Sequence, residues 1–571
     1  MKRTTIPLLC ALLLLSGCQQ TEPSSAESGS APTAAEPVSV IDTSALFSGR
    51  DLDGSYDGST AVRIRLEGET AVCDSDAVSI DGSRITLLDE GTYLVSGTLT
   101  DGQIMVDAGD TDKVQIVLDG ASLTCADSAA IYSKSADKVF LTLAEGTENT
   151  LSNGGSYTAI DENNIDSVVF SKTDLTLNGS GSLTIDARAG HGVVSKDELT
   201  ITGGTYTVTA AEHGMTGKDS LAVAGGDLTI TSGKDGLHAE NADDASMGFL
   251  YVADGTFTIA AQGDAVSASG ALQVDGGTFD LTTGGGSASV TMTTEDSFAP
   301  GGKGGGPGRP DRPQVQGEPP AAGETPPERP DSSDGGQPLE FPIQPAGEEP
   351  ASTAETAEMT DTAEDTVSQK GMKAEGTLTI NGGAFTVDSA DDCLHSGGDL
   401  TVTGGTFTLS SGDDAVHSDY AVTVRDGEFS IPYCYEGVEG LSVTVEGGTF
   451  EITAYDDGFN AAGGADSSGF GGRGDQFAVS EDSFITVNGG TITIVSDGDC
   501  LDSNGNLTVN GGKLDLTCNG NGNTALDCDG NYANNGGSVT TNDGSESNPG
   551  GMGGGRPGGR QAPPGQETPV S

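Results

Sequence analysis

The chain repeats itself with a fixed period. "LTINGGAFTVDSADDCLHSGGD" (378–399) runs directly into "LTVTGGTFTLSSGDDAVHSDYA" (400–421), and the same 22-residue frame recurs at 199–220, 250–271 and 485–506. Less regular copies begin at Leu175, Leu221, Leu272, Val422, Val443 and Leu507. Each copy reads as a three-residue alternating strand, a Gly-Gly turn, a second alternating strand and an acidic turn. Period-2 alternation with β-branched residues specifies strands, and paired glycines supply the positive φ of the turns. No segment carries a 3.6-residue period. A unit this short cannot bury a core alone, so the copies must stack as coils of an all-β, parallel β-helix. Stacking sets equivalent residues about 4.8 Å apart, which predicts an internal ladder of Phe385, Phe407, Phe429 and Phe450.

The repeats divide the chain. Residues 43–284 form an N-terminal part of the β-helix, with "KVQIVLDG" and "KVFLTLAEG" before residue 175 as irregular coils or a cap. The pattern stops from 285 to 368, where residues 300–350 hold 13 of the 23 prolines. That composition cannot bury a core and predicts a disordered insertion between two coils. Residues 369–540 form the C-terminal part, and the Gly-rich 541–571 is expected to be a disordered tail.

The first 18 residues read as an export signal. Lys2 and Arg3 precede the apolar "IPLLCALLLL", too short to span a bilayer, which ends in Leu-Ser-Gly-Cys. That tetrapeptide resembles the bacterial lipobox, which implies cleavage before Cys18, lipid attachment to its thiol and an extracytoplasmic, membrane-anchored chain. Residues 19–42 are polar and Pro/Ser/Ala-rich, as a flexible tether is. Seven further cysteines form no C-x-x-C pair, so a zinc site is not expected. Cys393 and Cys500 stand where sister repeats carry Ala or Gly and read as small buried fillers.

The acidic turns point to a metal. With 86 acidic against 25 basic residues and a net charge of -61, nucleic acid is excluded as a partner and cations are favoured. Stacking aligns Asp391/Asp392 with Asp413/Asp414 and Asp456/Asp457, and the same slot holds Asp235, Asp264, Asp499 and Glu436. Carboxylates about 5 Å apart repel unless neutralised. Calcium takes oxygen ligands at roughly 2.3–2.6 Å, so an ion between rungs reaches both. Ca2+ is therefore the expected cofactor.

Strings such as "VVSKDELTITGGTYTVTAAEHGMTGKDS" and "GDDAVHSD" resemble the bacterial carbohydrate-binding β-helix family, over nearly all of 43–540 outside the insertion. Its type member is a clostridial cell-surface protein that binds cellulose and pectic acid. The resemblance implies a right-handed parallel β-helix with several calcium ions, similar in shape to polysaccharide lyases. Its Asp-Asp-Gly turns map onto Asp391/Asp392, Asp413/Asp414 and Asp456/Asp457, and less completely onto Asp235, Asp264 and Asp499. His191 and His213 occupy the second-Asp slot in two early coils, which puts calcium there in doubt.

Other columns bear on ligands. Lys172, Lys196 and Lys218 recur at nearly the same interval, each followed by Asp174, Asp197 or Asp219. They read either as a Lys-Asp ladder on a solvated face or as a basic strip that meets uronate carboxylates. His238, His395 and His417 form a structural column beside the acidic turns. Tyr435 and Tyr455 flank acidic turns and could stack on a sugar ring, although the chain has no Trp.

The sequence thus describes a lipid-anchored surface protein that binds pectate-like or cellulose-like polysaccharide, with calcium as structural tie and bridge. A calcium-dependent polysaccharide lyase is the first rival, since it needs a Lys or Arg base beside a calcium-bound uronate. Near-regular repeats with no unique polar cluster favour binding over catalysis. A surface adhesin or spacer without a sugar ligand is the second rival. Cys18→Ala is expected to leave the chain unprocessed or released from membranes, as fractionation would show; unchanged processing and retention would contradict the lipobox reading.

Overall fold

The computed structural model describes residues 40–244, 246–292, 368–462 and 482–549. All of them belong to one unit, Met1–Met292 with Ser368–Ser571; the other unit, Thr293–Val367, lies outside the described residues. So do Cys18 with the signal and most of the tether, the bulk of the insertion, and the tail beyond 549.

Each repeat contributes three strands, and each strand pairs with its own equivalents in the adjoining repeats. Thr406–Ser411 lies in parallel between Ala384–Ser389 and Glu428–Cys434. Leu394–Ser396 lies between Met372–Ala374 and Val416–Val424, and Leu400–Val402 between Leu378–Ile380 and that same long strand. The result is all-β, with a long and mostly parallel sheet and no α-helix among the described residues, compatible with a β-helix.

Alternation sets what faces inward. Thr205–Ala210, Asp227–Ser232 and Thr256–Ala261 each alternate exposed and buried residues over their whole length. The inward positions build one continuous core. Its central ladder runs Phe257, Phe279, Phe385, Phe407, Phe429 and Phe450, two rings longer than the sequence suggested. Successive centroids lie 4.6, 4.8, 4.8, 4.4 and 4.7 Å apart with planes within 7° of parallel. Gly405 shows why the turn needs glycine: its φ is 119°. An added Cβ would lie 3.1 Å from the Phe407 ring and 3.2 Å from the Gly383 carbonyl. Cys393 and Cys500 are fully buried fillers, as expected, and no described cysteine is in a disulfide.

The register accommodates extra chain without breaking. Phe279 stacks directly on Phe385, so the insertion leaves and re-enters at one acidic corner. A second interruption was not anticipated: Thr449–Ala454 pairs with Thr491–Ser496, which adds the Gly-rich stretch around 463–481 to one coil.

The N-terminal end is capped by antiparallel pairs, Leu66 with Ala71 and Ile80 with Ile85, which blunt the open edge. Residues 40–56 run across several coils as a strap. The Val40 and Ile41 amides donate to Gln273 Oε1 at 2.9 and 3.2 Å, and Phe47 packs on Tyr251. Buried Asp51 accepts from Thr176 Oγ1 at 2.6 Å and pairs with Lys138 at 2.8 Å. This strap explains why the outward Thr176, Tyr251 and Gln273 are buried rather than wet.

The stacked ring ladder predicts a steep cost for a gap in it. Phe407→Ala removes a ring 1% exposed between two others and is expected to lose about 3–5 kcal/mol in denaturant unfolding. A loss under about 1 kcal/mol would mean that the core is not packed as described.

Candidate functional site

The acidic turn joins the long strand of each coil to the next short strand. The registers Leu237–Val266–Met372–Leu394–Val416–Val438–Phe459–Leu501 fix what stands two residues earlier. That slot holds Asp235, Asp264, Lys370, Asp392, Asp414, Glu436, Asp457 and Asp499 in one column, preceded by His191 and His213.

The column has a structural job of its own. Main-chain amides in the turn lack a strand partner, and in most coils the slot's side chain from the coil before accepts them. At Lys370, a donor, the Asp392 amide turns to Asp391 Oδ1 at 3.0 Å instead. Asp235 accepts from the Asp264 amide at 2.9 Å, Asp264 from Lys370 at 2.7 Å, Asp392 from Asp414 at 3.1 Å and Asp457 from Asp499 at 2.6 Å. His191 and His213 do the same through Nδ1, at 3.1 and 3.2 Å. Only a short side chain with an acceptor at that reach satisfies the amide, which is why His replaces Asp here.

The other carboxylate oxygen must then be neutralised. A second column, one residue after the apolar position, does this in the earlier coils. His238 Nδ1 lies 2.7 Å from Asp235, His395 Nδ1 2.8 Å from Asp392, and His417 Nδ1 3.0 Å from Asp414 and 2.9 Å from Glu439. Lys370 Nζ lies 2.8 Å from both Asp391 and Asp392. Burial opposes a charged His417, but the carboxylates of Asp414 and Glu439 outweigh it and push its pKa up to about 12. Burial likewise works against an ionised Asp392, yet Lys370 and the two histidines hold its pKa below the usual carboxylate range. Part of the neutralising role expected of an ion is thus met by the protein's own groups: a histidine stands beside Asp235, Asp392 and Asp414, and the Lys370 ammonium bridges Asp391 and Asp392. Asp391, Asp392 and Asp413 still bring oxygens within 4.8 Å of one another.

From Glu436 onward the counter-charges stop. The second column now carries Glu439, Asn460, Asp502 and Asp527. Glu436 Oε2 and Asn460 Oδ1 are buried and have no hydrogen-bond partner. Asp499, Asp502 and Asp527 each bring an oxygen within 4.8 Å of the others. Gly498 stands in the first-Asp slot, where a Cβ would collide with carboxylate oxygens of both Asp456 and Asp457. Orphaned acceptors, clustered carboxylates and a cradle kept open by glycine fit a hard divalent cation with oxygen ligands. Calcium therefore fits the pole from Glu436 to Asp527.

Burial first, then mutual repulsion, raises most carboxyls of this pole. Asp499 is pushed up to about 8 and Asp502 to about 7, and Glu436 and Asp457 rise well above the usual range.

The remaining sequence candidates divide. Lys172, Lys196 and Lys218 do align, with Lys134. Their partners are not the aspartates that follow them: Lys134 pairs with Asp107 at 2.9 Å, Lys196 with Asp166 at 3.7 Å and Lys218 with Asp243 at 2.8 Å. Asp174, Asp197 and Asp219 instead stack on one another, and burial with that repulsion lifts Asp197 to about 6. Tyr435, in the first-Asp slot, and Tyr455 lie side by side with centroids 6.2 Å apart. Tyr420 and Tyr433, which the sequence reading passed over, are more exposed rings than either. Sequence reasoning also missed Lys370, Asn460, Asp502 and Asp527, although aligning "SQKGM", "DGFNA", "DCLDS" and "TALDC" on the repeat places all four.

Metal-free protein should show an inverted pH profile. A carboxyl whose pKa is higher folded than unfolded stabilises the fold fully below its unfolded value, near 3.8 for Asp, and loses that stability as pH rises through the folded value. The Tm in EDTA should therefore fall between pH 5 and 8, and Asp499→Asn with Asp502→Asn should flatten the fall. A Tm that rises with pH across that window would contradict the assignment.

Comparison with known proteins identifies the family. A curated protein of Acetivibrio thermocellus, described as a carbohydrate-binding domain-containing protein, is 36% identical over 160 residues, 28% of this chain and 56% of its own length. This chain thus matches little more than half of that relative. A solved structure described as the polysaccharide lyase-like protein from C. thermocellum, in a gadolinium derivative, shows 33% identity and a TM-score of 0.39 over 39% of this chain and 92% of that one. The family model for carbohydrate-binding domain-containing proteins matches residues 81–415 and 414–550. The chain belongs to that family of carbohydrate-binding domain-containing proteins.

Proposed function

We propose that this protein is a calcium-binding, cell-surface carbohydrate-binding lipoprotein that recognises acidic, pectate-like polysaccharide or cellulose. The observation that carries the calcium is the acidic pole, where buried Glu436 Oε2 and Asn460 Oδ1 lack partners beside Asp457 and Asp499. Parallel strands joined by crossovers wind right-handed, so the stack is a right-handed parallel β-helix of coils near 22 residues. In this reading calcium ties the C-terminal coils together by neutralising carboxylates that in-register stacking forces close. The lipid on Cys18 holds the chain at the outer face of the cytoplasmic membrane, and the tether lets the stack reach a polysaccharide. Family membership supports the polysaccharide partner. Carboxylates and lysines recur coil after coil, which suits repeated contact with a polymer better than catalysis at one bond.

A ligand that binds only the folded form adds about 2.7 kcal/mol at a hundredfold excess over Kd. Calcium should accordingly raise the Tm of EDTA-treated protein, and Asp457→Asn with Asp499→Asn should abolish most of that rise. The calcium-loaded protein should be retained on immobilised pectate or cellulose. Equal melting with and without calcium would contradict the metal assignment. Passage through both matrices and silence on a glycan array would contradict the carbohydrate assignment.

A further inference from the structure

Three of the chain's five histidines meet in one groove. His191, His213 and His238 stack with centroids 5.1 and 4.2 Å apart. Together with Lys196, Lys218 and Lys234 they line a cavity of about 380 Å³. In a chain with 25 basic and 86 acidic residues, such a gathering of donors is unusual.

The ring tautomers follow from the backbone. The His213 amide donates to His191 Nδ1 at 3.1 Å, and the Asp235 amide donates to His213 Nδ1 at 3.2 Å. A nitrogen that accepts a main-chain N–H carries no proton, so each of these rings holds its proton on Nε2. The Nε2–H of His191 faces Glu212 Oε2 at 3.4 Å on the groove side. Neither ring has a lone pair to offer a metal, because Nδ1 is taken and Nε2 is protonated. The groove presents two fixed imidazole N–H groups and three ammonium groups, whose present partners include the carboxylates of Glu212 and Asp243 in the same lining.

Those ammonium groups are held loosely. Lys196, Lys218 and Lys234 pair with Asp166, Asp243 and Glu212 at 3.7, 2.8 and 3.1 Å, with side chains 42, 37 and 53% exposed. Exposed pairs of this kind contribute little to stability, so a competing anion displaces them at little cost. Asp243 is 81% exposed and belongs to a loop between Leu237–Ala239 and Phe249–Val252 that is longer than its counterparts in neighbouring coils.

We propose that this groove binds an oxyanion substituent, a carboxylate or a sulfate, carried on a sugar unit of the polysaccharide. The proposal rests on the carbohydrate-binding reading above and locates its contact away from the calcium pole. The oxyanion replaces Asp243 and Glu212 as partner of Lys218 and Lys234 and accepts from His191 and His213 Nε2. Lysines on successive coils stand about 4.8 Å apart, so neighbouring rungs grip the same substituent or adjacent ones.

Calorimetric titration of the full chain in EDTA tests this with three oligosaccharides of equal length: a uronate oligomer, a sulfated hexose oligomer and a neutral hexose oligomer. At least one charged oligomer should bind without calcium and weaken with salt, and whichever binds identifies the substituent. Lys218→Ala and Lys234→Ala, both at exposed positions, should each raise Kd at least tenfold. His213→Ala should weaken binding and His213→Gln, which keeps a donor near Nε2, should largely restore it. Unchanged Kd in the lysine variants, equal binding of charged and neutral oligomers, or loss of binding in EDTA with the circular dichroism spectrum intact would each overturn the proposal. Binding of the neutral oligomer alone would overturn it and leave the carbohydrate reading standing; no binding by any of the three, with or without calcium, would sink both.

Discussion

In-register parallel stacking governs everything else in this molecule. It places each side chain about one strand spacing from its own counterpart, so any property of the repeat is multiplied along the stack. For phenylalanine the multiplication is favourable, and six rings build one ladder inside the core. For aspartate it is hazardous, since like charges are forced together in a partly dry corner. Much of the sequence variation at the acidic turn makes sense as a response to that hazard.

The responses differ along the chain. Early coils replace the acid by His191 and His213, which keep the acceptor and drop the charge. Middle coils set a partner beside the acid of their own or the next coil: His238, Lys370, His395 or His417. Late coils do neither, and burial with mutual repulsion raises the pKa of Glu436, Asp457, Asp499 and Asp502. A buried carboxylate left without a partner costs several kcal/mol, so the late coils are where an added cation has most to contribute. The same logic separates the two proposed surfaces: a carboxylate-rich pole suits a hard cation, and a groove of imidazole N–H and loosely paired ammonium groups suits an oxyanion.

Most of the fold was legible in the sequence because the repeat is self-referential: once Phe385 is aligned with Phe407, every strand, turn and inward position follows. The strap over 40–56 was not legible, since Asp51 and Phe47 meet Thr176 and Tyr251 only through long-range docking that no local pattern encodes. The second interruption near 463–481 was missed although its Gly-rich composition marks it. At the site, the column of carboxylates was foreseen but its chemistry was only half read. Repeats were matched by their aspartates, so Lys370, which occupies the slot as "QKG", and Asn460, one residue beyond it, went unseen. The role of Asp as acceptor for the next coil's amide also escaped, because a turn amide without a strand partner becomes visible only once the coils are stacked.

The central claim is that the late coils hold protons in the absence of metal and exchange them for calcium. Calorimetric titration of metal-free protein with Ca2+ near pH 7, repeated in buffers of different ionisation enthalpy, counts the protons released per ion bound. Net proton release that shrinks as the pH is raised toward 9 and disappears in Asp499→Asn with Asp502→Asn is the predicted result. Binding with no proton release at pH 7, or no binding at all, would contradict it.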